Sequence, residues 1–176
     1  MQTRSARADR EQIDLRRLVA GFLRMAPDIA IVGEVRDREA LPLLLTLSSG
    51  VKGFTTIHAG SARQALTRLR FICQLSDTSN ELPMSALNSL VSEAIDVVVF
   101  CRRAPEGPQV VGVTCVEDMI GPADSTQFTV TEVFGCSGDR DHLAWTGEIP
   151  TRLARTFCDA GVDVRTYLDL ETASMS

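Results

Sequence analysis

Two side chains in this sequence combine reactive chemistry with a suggestive placement. Glu34 follows the apolar run Ile29-Ala30-Ile31-Val32-Gly33, and His58 follows a second short run, Gly53-Phe54-Thr55-Thr56-Ile57. A carboxylate at the end of a buried strand stands at the sheet edge where open α/β folds bind ligands. In phosphoryl-transfer sites such a carboxylate helps hold Mg²⁺ and orients the attacking water. An imidazole at the same edge, just after two threonine hydroxyls, has the chemistry to sense a terminal phosphate or to position a water. Each residue alone has a plainer explanation: an acid that caps a loop, or a histidine hydrogen-bonded for structure. Their occurrence on consecutive strand ends favours a shared site.

The elements that must position them follow from periodicity. Apolar residues at 15, 18, 19, 22, 23 and 26 form a helical stripe that Pro27 and Asp28 stop. Ile29 to Gly33 lacks polar alternation, so the expectation is a strand buried on both faces, as in a parallel sheet covered by helices. Asp37 is the expected N-cap of a helix to about Ser48, with Pro42 making its first turn irregular. Gly53 to Ile57 is the second strand. Ser61 then caps a helix with apolar positions at 62, 65, 66, 69, 72 and 73. After a polar loop over 76–82, Pro83 opens a third helix to about Glu93, and Ile95 to Phe100 is expected as a third buried strand. Strand and helix alternate, which implies an α/β fold with a parallel sheet. Beyond Arg102, Val110 to Val116 and Phe128 to Phe134 are β-rich runs separated by a turn region at 121–127, expected as antiparallel additions. A terminal amphipathic helix follows over Ile149 to Ala160, with Pro150 in its first turn and Gly161 as its stop, and then a short piece from Val164 to Leu170.

Composition removes several functions. Of 18 basic side chains among 176 residues, Lys52 is the single lysine, and it lies between Val51 and Gly53. A P-loop requires GxxxxGK followed by Ser or Thr, so this sequence contains none. Through Arg70 there are 12 basic and 7 acidic residues, and from Phe71 onward 6 and 16. The basic front half has only Phe22 and Phe54 for base stacking, and its arginines are scattered among acids, which argues against direct nucleic-acid binding. Five cysteines, odd in number and without a CxxC pair, argue against a disulfide framework or a zinc site, and reduced buried thiols are expected. A serine-hydrolase elbow is absent, since Gly135-Cys136-Ser137-Gly138 lacks the GxSxG spacing. Neither Leu41 to Leu45 nor Val97 to Cys101 approaches the length of a membrane span, and no apolar stretch follows Arg4, Arg7 and Arg10 as in a signal peptide. The expected location is the cytoplasm.

The stretch LRMAPDIAIVGEVRD (23–37), followed by SSGVKGFTTIHAGSARQALTRL (48–69), resembles the Walker B box and histidine box of the secretion and pilus-assembly ATPases. That superfamily comprises type II and type IV secretion motors and tight-adherence pilus ATPases. The resemblance is strong from Leu15 to about Leu69 and holds in outline beyond. It implies a truncated RecA-like P-loop NTPase core with a mostly parallel sheet flanked by helices, then C-terminal antiparallel strands and a terminal helix. A partial core over 1–103 and a β-rich and helical extension over 104–176 are the expected divisions. The resemblance makes Glu34 the glutamate that polarises the hydrolytic water and meets Mg²⁺ through water. His58 becomes the residue linking the nucleotide site to neighbouring structure. Arg36 and Arg63 match basic positions of the two boxes and are expected to contact phosphate or a neighbouring subunit; surface ion pairing with Asp37 or Glu39 is the open alternative. ATP and Mg²⁺ are implied as ligands. A ring-shaped homo-hexamer is implied at the cytoplasmic face of the inner membrane, working with secretion or pilus platform proteins to couple ATP hydrolysis to translocation or pilus assembly.

Departures from the family are equally informative. Its P-loop lies upstream of the Walker B box, whereas only 28 residues precede Ile29 here, none of them glycine-rich. Ala26 stands where the family usually carries the second arginine of RMRPD, and the acidic box before Walker B is missing. The expectation is a portion of a motor, inactive alone, with central sheet edges left unpaired and a marginal isolated fold. The alternative is a non-catalytic half-motor module that docks with a P-loop-bearing partner.

Overall fold

The computed structural model of the chain describes residues 13, 15–25, 27–75, 82–118, 127–136 and 142–168. Ala26, most of the 76–82 loop, most of the 121–127 turn region and the end of the 164–170 piece lie outside the described residues. The chain divides into two compact units, Met1–Ala59 with Gln64–Ala94, and Gly60–Arg63 with Ile95–Ser176.

The first unit contains α1 (Leu15–Leu23), β1 (Ile29–Val32), α2 (Ala40–Ser48), β2 (Lys52–Thr55), most of α3 (Ala62–Gln74) and α4 (Met84–Ala94). Strands β1 and β2 pair in parallel, with Ala30 opposite Gly53 and Ile31 opposite Phe54. Helix α2 packs on α1 and α4. Its Leu43 and Leu44 join Leu66 and Leu87 as fully buried side chains, so the helices carry most of this core. Helix α2 starts at Ala40, later than the Asp37 cap implies. Glu39 is its N-cap residue, without a side-chain cap bond. This start resolves the difficulty with Pro42, which becomes the third helical residue, where an N–H has no intrahelical partner in any case.

One expectation for β1 is corrected. Ala30 is buried, but Ile29, Ile31 and Phe54 are 49%, 76% and 67% exposed. Among the described residues the sheet has two strands, and its small-residue face meets helix: a Cβ on Gly53 would lie 2.4 Å from the Leu47 side chain of α2. The opposite face presents apolar side chains to solvent.

The second unit is an antiparallel meander, β3 (Val97–Ala104), β4 (Gly107–Val116), β5 (Val130–Gly135) and β6 (Ala144–Trp145), paired in that order, followed by α5 (Thr151–Asp159). Strand β3 was expected in the parallel sheet; instead it pairs with β4 from Val97↔Cys115 to Ala104↔Gly107, through a two-residue turn at Pro105 and Glu106. A hairpin this short captures its neighbour more readily than a crossover connection does. Strand β3 accordingly lies in the second compact unit, which takes up the chain again from Ile95. Cys115, Val116, Phe128 and Val133 are buried in this unit. Gly161, at φ 77°, takes the left-handed conformation that ends α5.

Candidate functional site

The turns after β1 and β2 are stitched together. Val35, buried, donates its N–H to the Thr56 carbonyl at 2.9 Å, and Thr56 Oγ1 donates to the Gly33 carbonyl at 2.6 Å. These bonds flank Glu34 on one side and precede His58 on the other, which is why parallel pairing brings the two side chains together. His58 Nε2 lies 3.2 Å from Glu34 Oε1. The Arg36 guanidinium forms an ion pair with Glu34 Oε2 through Nη2. Each carboxylate oxygen therefore has a nitrogen partner.

The backbone after Glu34 is turned by a second acid. Glu39 Oε1 accepts the N–H of Arg36 at 2.7 Å and of Asp37 at 3.1 Å. Glu39 thus engages the main chain of Arg36, while the Arg36 side chain turns back to Glu34 and neither Asp37 nor Glu39 is its bonded partner.

The Glu34 carboxyl is held below the ordinary carboxylate value, first by the hydrogen bond from Arg36. Partial desolvation opposes this, and the charges of Arg36, His58 and Arg68 reinforce it. Arg36 is in turn held more firmly protonated, chiefly by its bond to Glu34. Arg68, on α3, is a further cation acting on this carboxylate. Local spacing gives no hint of it, because Arg68 stands 34 positions further along the chain. Arg63 belongs to the second unit, where its Nη1 donates to the Phe128 carbonyl at 2.9 Å.

Glu34 suits an outer-sphere role toward Mg²⁺. That ion keeps several waters and takes one or two carboxylates together with substrate phosphates. Among the described residues no group of three or more His, Cys, Asp or Glu side chains is placed to hold a metal directly. A triphosphate finds no cradle of the P-loop kind: Lys52 is exposed on β2, opposite Ile29, and no glycine-rich phosphate loop occurs in the sequence. The residues present fit the water side of a phosphoryl-transfer site and lack the P-loop side.

A family model described as "Type II/IV secretion system protein" matches residues 2–139. The chain is 36% identical to the probable conjugal transfer protein TrbB of Sinorhizobium fredii over 108 residues, 61% of this chain and 31% of that protein. It is 41% identical to the type IV secretion system protein PtlH of Bordetella pertussis over 92 residues, 51% of this chain and 27% of PtlH. Among solved structures it is similar to the VirB11 ATPase from the Brucella suis type IV secretion system, determined in complex with sulphate. The TM-score is 0.54 and the identity 26%, covering 57% of this chain and 31% of that one. The chain thus spans about a third of the length of the curated relatives it matches.

Proposed function

Because the chain belongs to the type II/IV secretion system protein family, we propose that it is a portion of a secretion or pilus-assembly motor that couples ATP hydrolysis to protein translocation or pilus assembly. The observation that carries this is the 3.2 Å approach of His58 to Glu34 at the ends of two parallel strands. Glu34, kept ionised, accepts a hydrogen bond from the hydrolytic water and aligns it for attack. His58 fixes the carboxylate from the neighbouring strand and links the site to the chain beyond. Mg²⁺ would supply charge neutralisation at the phosphates, meeting Glu34 through water. Arg36 and Arg63 are both assigned to phosphate or subunit contact, with Arg63 also holding the Phe128 carbonyl.

The parent assembly is proposed as a ring-shaped homo-hexamer peripheral to the cytoplasmic face of the inner membrane, in contact with secretion or pilus platform proteins. Among the described residues no helix is long and apolar enough to cross a membrane. The partial motor core over 1–103 and its extension over 104–176 are part of the same proposal. Without a P-loop, this chain does not anchor a triphosphate for Glu34, and it is inactive by itself.

A second role is favoured by one observation. The apolar face formed by Ile29, Ile31 and Phe54 is exposed, as suits a half-motor module docking with a P-loop-bearing partner. Both readings are tested by adding a P-loop-bearing portion of a motor of this family, fused or in trans. Mg-ATP hydrolysis that appears on addition and falls about 100-fold or more with Glu34→Gln supports the motor role. Binding without Glu34-dependent hydrolysis supports the module.

A further inference from the structure

Both oxygens of the Glu34 carboxylate are engaged: Oε1 with His58 Nε2 at 3.2 Å, and Oε2 in the ion pair with Arg36. Each oxygen spends one of its two lone pairs on a nitrogen partner, and on Oε2 that partner is a full positive charge which competes with a water for the oxygen. The Arg36 side chain is 73% exposed, and ion pairs this open to water are weakly held. Its other charged influence, Glu39, has Oε1 committed to the backbone N–H groups of Arg36 and Asp37. Arg68 adds a second positive charge beside Glu34. A phosphoryl group carries more charge than a carboxylate and can take a guanidinium by two prongs where Glu34 takes it by one, so it competes directly for Arg36.

We propose that Arg36 is a phosphate-responsive latch on Glu34: it closes the carboxylate while no phosphoryl group is near, and a phosphoryl group that takes the guanidinium frees Oε2 to accept the hydrolytic water. This rests on Glu34 being the water-orienting residue and adds an order of events, phosphate before water. Water activation is thereby withheld until there is a phosphate to attack.

The test follows the side-chain Nε–H resonance of Arg36 by NMR in the full 176-residue chain, assigned by its loss in Arg36→Gln. Inorganic phosphate at constant ionic strength is expected to move this resonance toward its position in Glu34→Gln. The Glu34→Gln protein is expected to bind phosphate roughly two- to fivefold more tightly, the equivalent of one exposed ion pair removed. Asp37→Asn, which removes a nearby charge without releasing Arg36, should change affinity less. ATP in a parallel titration separates two sources: a response to ATP identifies nucleotide phosphate as the opener, and a response to inorganic phosphate alone identifies released product. If neither anion moves Arg36 in the wild-type chain, or if Glu34→Gln and Asp37→Asn change phosphate affinity equally, the latch is overturned. No turnover is measured, so failure here is separate from failure of the hydrolytic role of Glu34.

Discussion

Glu34 and His58, 24 positions apart in the sequence, face one another at 3.2 Å because each follows a strand of the same parallel pair. Arg36 completes the cluster, and its bond keeps the Glu34 carboxyl below its ordinary value. A carboxyl lowered on folding favours the fold above its unfolded value and loses that contribution as pH falls through the folded value. Arg36→Gln is therefore expected to lower the urea midpoint at neutral pH and to match wild type once acid has protonated Glu34. Parallel urea titrations at neutral and acid pH measure this, and a difference that persists in acid contradicts it.

The absence of a side chain at Gly53 lets β2 lie against Leu47 of α2. A Cβ there would meet Leu47 Cδ2 at 2.4 Å and the Ala30 carbonyl oxygen at 2.8 Å. The leucine contact is with the far end of a flexible side chain, but the backbone oxygen belongs to the paired strand. Gly53→Ala is expected to destabilise the first unit by about 1 to 3 kcal/mol, and Leu47→Ala to restore only part of the loss. Denaturant unfolding of the single and double variants checks this.

Glu117 caps a helix that lies far along the chain. Buried at 7% exposure, its Oε1 accepts the Thr151 N–H at 3.0 Å and the Thr131 hydroxyl at 2.7 Å, while Oε2 accepts the Arg152 N–H at 2.9 Å. Negative charge at a helix N-terminus also meets the helix dipole favourably. Glu117→Ala is expected to cost about 2 to 3 kcal/mol. Glu117→Gln, which keeps one acceptor oxygen, should cost less. Amide hydrogen exchange in α5 reads the loss locally.

The cysteines separate by burial. The expectation of buried thiols holds for Cys73 and Cys115, whereas Cys101, Cys136 and Cys158 are exposed. Burial pushes the Cys73 thiol up to about 12 and, with nearby acids adding, the Cys115 thiol up to about 11. Iodoacetamide at mildly alkaline pH is expected to label the three exposed thiols in the native chain and the other two only in denaturant. With folded values raised, the two buried thiols favour the fold below the ordinary thiol value and lose that contribution as pH rises through 11 to 12. Mass spectrometry of the labelled chain decides the pattern.

The meeting of Glu34 and His58 was legible because the signal is local at each end. An acid or an imidazole after a short apolar run marks a strand end, and two such ends in a parallel pair converge. Helices α3 and α4 were legible too, from apolar spacing and from Pro83 before Met84. Strand β3 was misassigned because a continuous apolar run signals a strand without naming its partner. Its pairing is decided by the short turn at Pro105 and Glu106, which leads straight into β4. The burial of β1 was misjudged for a related reason: apolar residues on both faces imply two covering layers, and the described sheet has one. Glu117 and Arg68 act across folds of the chain that no local pattern records. Asp37 carried the usual cap chemistry, yet Glu39 fixes the turn through the backbone of Arg36 and Asp37.

The central claim is that this chain holds the water-orienting carboxylate but not the cradle that anchors its substrate. Mg-ATP hydrolysis by the purified chain, measured beside Glu34→Gln, tests it most directly. The expected result is that neither protein exceeds the buffer rate. Hydrolysis by the chain alone that disappears with Glu34→Gln would contradict the account.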